Sequence, residues 1–332
     1  MLSVVTGGSG YVGTNLCIAL LADGHIVRVV DPREPVTAIR HGAEWIRADI
    51  RDTAAMRRAP GGADTVYHLA AIISIAGGLG GLVNAINVDG VRVVAEAARL
   101  AGVRRLVHLS SVHAFDIAAC VGRTVDEASP RSVSASLPAY DRSKAAGEAE
   151  LRRVVDWGLD AVTINPTGVI GPIDESPSRM GSVLLALWRR RLPALVAGGF
   201  DWVDVRDVVG ALRAAAADRG RTGESYLVPG HRLTVAALAQ VAGRGSGSAV
   251  TRRIAPMWSA RAAAPIGNVL ARRLGTSLLP TSEALHALDS FPVIDGGKAV
   301  RELGHRARPV DETLASLHTY FVDTGRLPPP TR

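Results

Sequence analysis

The sequence predicts an α/β protein, a doubly wound parallel sheet with a smaller C-terminal lobe. Three observations predict it. Short apolar runs alternate with amphipathic helical patterns through the first half of the chain, as strands do when helices cover both faces of their sheet. A glycine-rich turn stands between the first apolar run and the first helical pattern. After Pro166 the texture shifts to shorter elements punctuated by Gly and Pro.

The strand candidates are 2–7 (LSVVTG), 25–31 (HIVRVVD), 43–49 (AEWIRAD), 64–71 (DTVYHLAA), 104–111 (RRLVHLSS) and 160–166 (DAVTINP). They are rich in Val, Ile and Leu and bounded by Gly, Pro or Asp. Helices are expected over 11–23, 84–101 and 139–157. Strand–helix alternation of this kind gives parallel strands with right-handed crossovers. Beyond Pro166, GVIGPIDESPSRMG (168–181) reads as a long irregular connection. It is followed by a helix near 179–191, a strand before Gly198, a helix around 206–217, a strand at 224–228 and a helix-rich stretch to about 323. The expected division is 1–166 for the sheet domain, 167–325 for a smaller lobe interleaved with it and capping the carboxyl edge of the sheet, and 326–332 for an unstructured tail.

At 332 residues, 47% hydrophobic and 21% charged, the chain has enough apolar sequence for a compact core. The net charge of +7 does not point to nucleic acid, because the arginines are scattered and Arg189–Arg191 is their longest run. Cys17 and Cys120 stand apart, with no CxxC and no histidine cluster, so neither a disulfide framework nor a metal site is expected. The longest uncharged run, Leu69–Asn87, is broken by Gly77, Gly78, Gly80 and Gly81, which argues against a membrane span. The chain enters its first strand with no basic leader, so a cytoplasmic location is expected.

The turn TGGSGYVG (6–13) spaces Gly7, Gly10 and Gly13 as G-x-x-G-x-x-G. Glycine there lets the backbone turn tightly and approach a pyrophosphate resting on the helix N-terminus. Asp31 closes the second strand, where a carboxylate accepts ribose hydroxyls and repels a 2′-phosphate. NAD is therefore expected; Arg33 and Arg28 lie near enough in sequence to leave room for NADP. Asp49, ending the third strand, is a candidate for adenine contact or for capping the next helix.

Lysine is rare: of 38 basic residues only Lys144 and Lys298 are not arginine. Lys144 follows Tyr140 by four residues, one helical turn along the same face. A free tyrosine, with a pKa near ~10, is a poor acid or base at neutral pH. A neighbouring ammonium is expected to lower that value, and lysine supplies it as a compact point charge that can also bind ribose hydroxyls. Ser110 and Ser111 end the fifth strand, where a hydroxyl can donate to a substrate oxygen.

With these motifs in this order, the sequence resembles the extended short-chain dehydrogenase/reductase family, the NAD-dependent epimerases and dehydratases. The resemblance covers nearly the whole chain through TGGSGYVG, Asp31, ADIRD (48–52), VYHLAA (66–71), NVDG (87–90), LVHLSS (106–111), YDRSK (140–144) and NPTG (165–168). It continues through DWVDVRDVV (201–209) and KAVRELGHRARPVDETL (298–314). It implies a Rossmann-type first domain, a homodimer built on two long helices per subunit, and a small-molecule substrate. The dimer helix would be 139–157, with Ala145, Ala149 and Leu151 outward. Ser111 would polarise the reacting oxygen, Tyr140 transfer the proton and Lys144 orient the nicotinamide ribose, while hydride moves between substrate and nicotinamide. The cofactor would lie against Gly7, Gly10, Tyr11, Val12, Gly13, Asp31, Arg33, Asp49, Ile50, Leu69, Ala70, Ala71, Asn87, Tyr140, Lys144, Pro166, Gly168 and Val169. Ile73, His113, Asn165, Phe200 and Trp202 are the substrate candidates, with His113 alternatively packed beside the sheet edge and Phe200 and Trp202 alternatively core contacts. The stretch NPTGVIGPIDESPSRMG looks most like the dihydroflavonol reductase-like and 3β-hydroxysteroid dehydrogenase-like branches.

Dehydratases of the family carry an Asp-Glu pair just after the serine position; here Val112 and His113 follow Ser111, which argues against 4,6-dehydration. Three readings stay open, of which the first is favoured and the last is the most remote. A reductase or dehydrogenase acting on an apolar ketone or secondary alcohol suits the apolar, glycine-rich loop 71–87 and a wall of Phe200 and Trp202. A nucleotide-sugar epimerase with tightly held NAD would use Arg179, Arg189 to Arg191, Arg252 and Arg253 as a pyrophosphate clamp. A cofactor-sensing protein without turnover would have no need of the Ser111, Tyr140 and Lys144 set.

Overall fold

The computed structural model describes residues 1–74, 77–192, 194–246, 253–274 and 282–329. The chain opens with β1 (Leu2–Thr6), α1 (Tyr11–Ala22), β2 (Ile26–Val30), α2 (Thr37–Arg40), β3 (Ala43–Ile46), α3 (Thr53–Arg58) and β4 (Thr65–His68). A short α4 (Leu82–Asn84) runs through a π-helical turn (Ala85–Asp89) into α5 (Gly90–Leu100). Then come β5 (Arg105–Leu109), β6 (Thr124–Val125), α6 (Ala139–Asp156), β7 (Ala161–Pro166), β8 (Gly168–Ile170) and α7 (Arg179–Trp188). They are followed by β9 (Leu195–Val196), β10 (Gly199–Asp204), α8 (Val205–Ala214), β11 (Ser225–Val228), β12 (His231–Thr234) and α9 (Val235–Ser246). The last elements are β13 (Ile254–Ala255), α10 (Met257–Leu274), α11 (Ser282–Ser290), β14 (Val293–Ile294), α12 (Gly297–Leu303) and α13 (Val310–Asp323).

Seven strands form one parallel sheet in the order β11-β7-β5-β4-β1-β2-β3. Alternation along each strand feeds two apolar layers. Val5, Val29, Tyr67, Val107 and Ile164 pack with Leu16 and Leu20 of α1 and Val208 and Leu212 of α8. Val4, Val66, Leu106 and Ala161 face the other way, against Val91 and Val94 of α5 and Leu151 and Val154 of α6. The strand order reverses between β1 and β4, and the crevice at their carboxyl ends is where such sheets take ligands.

The smaller lobe is built on a second sheet, β12-β10-β8. Its strands were hidden from sequence reading: β8 lies inside the stretch read as an irregular connection, and β10 carries Asp201 and Asp204 at buried positions. Both aspartates are satisfied. Asp201 accepts from Thr167 Oγ1 and from the Gly230 amide, each at 2.6 Å, and Asp204 from Arg206 Nη2 (2.6 Å) and Thr313 Oγ1 (2.8 Å). The chain then returns to the main sheet with α8 and β11.

Two expectations need correction. Leu327 is buried and its amide bonds the Phe321 carbonyl at 2.9 Å, so the packed chain extends past Arg326; residues 330–332 lie outside the described residues. On α6, Ala145 and Leu151 are buried rather than exposed, although with Ala149 they line an outer groove of the helix; Ala146 and Ala149 are exposed. No helix among the described residues is long and apolar enough to cross a membrane.

Candidate active site

The site begins at the turn from β1 to α1. Gly7 has φ +73°, and a Cβ there would stand 2.6 Å from the Ala70 amide nitrogen. A Cβ on Gly13 would lie 2.2 Å from the Gly7 carbonyl oxygen. Glycine at both places lets the turn pass against the end of β4 and lets α1 close onto the turn. No side chain caps the start of α1, so its first amides, at Tyr11, Val12 and Gly13, are set to receive an anion. The Tyr11 side chain is engaged elsewhere. Its hydroxyl donates to Gly171 O at 2.9 Å, while Asn15 Nδ2 reaches Pro172 O (3.4 Å) and Ile173 O (3.3 Å). Together they tie the 171–173 loop to α1.

Asp31 is buried at the end of β2, its carboxylate accepting from the amides of Ser9 (3.2 Å) and Arg33 (2.9 Å). Arg33 stays 66% exposed beside Asp31 and the turn. Arg28 does not share this place. It binds Glu44 (2.7 Å) and the Ala59 carbonyl (2.8 Å), which corrects its candidacy for a 2′-phosphate. Asp49 binds Arg51 through both oxygens (2.9 and 2.7 Å), and the cap of α3 is Asp52, so the capping alternative for Asp49 fails. Ile50 is buried against Gly90, and Leu69 lies in the core below Ala70 and Ala71. Asn87, expected at the cofactor, commits its amide to the backbone N–H (2.8 Å) and C=O (2.9 Å) of Ile72 and to Ser143 Oγ (3.0 Å). It thereby anchors the loop carrying Ile73, which is 70% exposed.

The catalytic candidates lie where β5 ends and α6 begins. Ser111, extended at the end of β5, accepts from the His113 amide at 3.2 Å. Lys144 is buried; its Nζ donates to Leu109 O at 3.3 Å and lies 5.9 Å from the Tyr140 ring centre. The electrostatics differ from the expectation. Burial pushes the Tyr140 phenol up, the nearby Ser111 hydroxyl opposes the rise, and the Asp141 carboxylate adds to it. Burial lowers the Lys144 ammonium to about 8, against the pull of Glu148. Desolvation outweighs the neighbouring ammonium in setting the direction for the phenol.

Beneath Lys144 lies a pair that sequence reading passed over. His68 and His108 occupy the same row of β4 and β5, stacked with centroids 5.2 Å apart and fully enclosed. His68 Nδ1 meets Thr6 Oγ1 at 2.7 Å. Burial, with Lys144 nearby, drops His68 to about 3 and carries His108 well below its ordinary value. The matching runs VYHL and LVHL, paired in register, were the available signal.

On the substrate side, the His113 ring sits edge-on to Tyr140 and parallel to Phe200, each at 5.7 Å, with Nδ1 3.3 Å from Asp141 Oδ1. A cleft beside it is lined by His113, Ser132, Leu137, Asp141, His286 and Ala287, bringing α11 over the site. Phe200 and Trp202 are buried in the lobe core, the second of the two placements expected for them, with Trp202 Nε1 bonding Leu233 O at 3.3 Å and Phe200 stacked on the His113 ring. Asn165 is also enclosed: its Nδ2 donates to Ser111 O (2.9 Å) and Glu148 Oε1 (2.6 Å) rather than facing substrate. A Cβ at Gly168 would meet Trp202 and Phe200 within 3 Å, so glycine there serves packing; Pro166 ends β7 and Val169 pairs with Val203. Arg189 binds the Arg326 carbonyl at 2.7 Å, and Arg252 lies outside the described residues.

The residues fit a dinucleotide on these observations, in the cradle of glycines where any side chain would collide and in the buried carboxylate beside it. The sequence profile of the NAD dependent epimerase/dehydratase family matches residues 3–228. The sterol demethylase protein B of Methylococcus capsulatus is 34% identical, with 98% of this chain and all of that one aligned. A putative dihydroflavonol 4-reductase of Synechocystis is 29% identical over 97% of this chain and 94% of its own. Among solved structures, a nucleoside-diphosphate-sugar epimerase from Pseudomonas aeruginosa superposes with a TM-score of 0.77 at 25% identity, covering 98% of this chain and 99% of that one.

Proposed function

This chain belongs to the NAD-dependent epimerase/dehydratase family, and within it we propose an NAD(H)-dependent oxidoreductase that interconverts a ketone and a secondary alcohol on an apolar substrate. The observation that carries this is the convergence of Ser111, Tyr140 and Lys144 where β5 ends and α6 begins, with Lys144 one helical turn after Tyr140, its Nζ on the Leu109 carbonyl and 5.9 Å from the Tyr140 ring centre. The preference for NAD(H) rests on Asp31, whose buried carboxylate would accept ribose hydroxyls and repel a 2′-phosphate. The apolar substrate is supported by Ile73 and Leu79, exposed on the loop after β4, and by the relative named for sterol demethylation.

A bound dinucleotide would supply or accept the hydride. Gly7, Gly10, Gly13 and the first amides of α1 would hold its phosphates, and Lys144 its ribose. For reduction the chain itself must hold the carbonyl and deliver one proton to its oxygen. Ser111 Oγ orients that oxygen, and Tyr140 supplies the proton from its hydroxyl. The raised phenol is fully protonated at neutral pH, the form a proton donor needs. Lys144, still mostly charged at pH 7, then stabilises the phenolate left behind. A homodimer through the exposed face of α6 belongs to the proposal, and a dilute monomer in sedimentation would count against it.

The test screens apolar cyclic ketones and secondary alcohols, sterols included, with NADH, NADPH and their oxidised forms. Turnover with NAD(H) and a ~10²–10⁴-fold loss in Tyr140→Phe are expected. Near-stoichiometric NAD released on denaturation, together with activity on nucleotide sugars alone, would overturn the reading in favour of an epimerase.

A further inference from the structure

We propose that Glu148 is a positioning residue, which holds the Lys144 ammonium in its charged form and, through Asn165, fixes the strand end that carries Ser111. The proposal rests on the function proposed above for Ser111, Tyr140 and Lys144.

Tyr140, Lys144 and Glu148 succeed one another at intervals of four residues on α6, so phenol, ammonium and carboxylate form one stripe along one face of the helix. The Glu148 side chain is only 9% exposed. A carboxylate so far removed from water is costly unless it is paired and hydrogen-bonded, and this one is held from two sides. Its Oε2 lies 2.8 Å from Arg131 Nη1, and its Oε1 accepts from Asn165 Nδ2 at 2.6 Å. The same Asn165 nitrogen donates to the Ser111 carbonyl at 2.9 Å, so the carboxylate reaches the backbone of the catalytic serine through one amide. Arg131 is itself fixed, its guanidinium 3.9 Å from the Phe115 ring centre and its Nη2 3.4 Å from Ser225 Oγ. Nothing in this tie touches the cleft beside His113; it supports the site from behind.

The groups around Lys144 explain why it needs such support. From α6 it faces Tyr140 and Glu148. From β4 and β5 it faces His68 and His108, whose own proton affinity it depresses, and its Nζ rests on the Leu109 carbonyl. Burial favours the neutral amine, and Glu148 is the anion that opposes it. Arg131 lies beyond Glu148 and, by pairing with it, partly offsets its charge. Arg152, one further turn along α6, lines the same outer groove as Arg131 and Glu148.

With two lysines in the chain, ¹³C-lysine labelling yields two side-chain signals, Lys144 and Lys298, and the Lys144 midpoint can be read directly by NMR titration. Glu148→Gln, which keeps the shape and an amide for hydrogen bonding, is expected to lower that midpoint by about one pH unit or more. Arg131→Met, which leaves the carboxylate but removes its outer partner, is expected to raise it. Lys298, paired with Glu224 at 2.6 Å, should not move in either variant. Shifts of opposite sign in two folded proteins would not follow from a general loosening of α6. An unmoved Lys144 midpoint in folded Glu148→Gln overturns the proposal. If the wild-type protein turns over substrate, the alkaline limb of kcat/KM should follow the NMR midpoint in each variant. A wild-type protein with no oxidoreductase activity would instead overturn the functional reading, while the lysine titration still decides the role of Glu148.

Discussion

Acid should strain this fold at His68, and the size of the effect follows from where that imidazole lies. It is buried between Thr6 and the His108 ring, and burial holds it near 3, against 6.5 when exposed. Between those values the unfolded chain binds a proton that the native protein refuses. The contribution of the neutral imidazole is therefore complete above pH 6.5 and is lost as pH falls toward 3. Lowering the pH from 7 to 5 removes about 2 kcal/mol through this one group. At roughly 2.1 cal/mol/K per residue, that is a fall of about 3 °C in Tm for a chain of this length. Asp174, raised to about 6 by burial, works in the opposite sense over part of the range. A single pH series would therefore mix the two, and the discriminating assay is a difference. Urea unfolding of wild type and of His68→Gln at pH 7 and pH 5 cancels Asp174 and every other shared group. Wild type should lose about 2 kcal/mol more than the variant over that interval. Equal losses would refute the reasoning and mean that the His68 site admits a proton, or water, in the native state.

Other consequences follow from single contacts. In Gly13→Ala the new methyl would meet Gly7 O at 2.2 Å and Gly8 Cα at 2.7 Å, both backbone atoms that cannot rotate aside. The turn must open, so dinucleotide affinity should fall at least tenfold in a fluorescence titration, with about 1–3 kcal/mol lost in stability. Lys144→Arg should cost about 10² or more in kcat/KM, because the buried slot at Leu109 O takes a compact ammonium rather than a planar fork. In the wild type, kcat/KM for reduction should decline above pH 8, since the ammonium is lost as pH rises through its midpoint at about 8; a flat profile from pH 7 to 9.5 would refute this.

What could be read from sequence was what local geometry dictates. Gly7 and Gly13 announce themselves because the turn tolerates no side chain there, and Tyr140 with Lys144 because four residues make one helical turn. The strands of the main sheet, apolar on both faces, were legible for the same reason. The misreadings of polar residues share another cause: a side chain whose partner lies far along the chain. Asn87 and Asn165 look like ligand contacts until Ile72 and Ser111, 15 and 54 residues away, take up their amides. Asp201 and Asp204 mask β10 because Thr167, Gly230 and Thr313, which make their burial tolerable, are not visible from the strand itself.

The Tyr140–Lys144 pair shows the limit most sharply. Spacing identifies the two groups as neighbours and suggests that the ammonium should ease the phenol toward ionisation. Burial, which spacing does not reveal, sets the direction for each group, raising the phenol and lowering the ammonium. Both shifts favour the neutral form, and so they oppose the separation of charge that follows proton donation. That separation becomes favourable only if the lysine keeps its proton while the tyrosine gives one up. On the proposed function, a buried anion behind the lysine, rather than the lysine alone, would let an enclosed tyrosine serve as an acid at neutral pH, and Glu148 lies one helical turn beyond that lysine, buried and paired with Arg131.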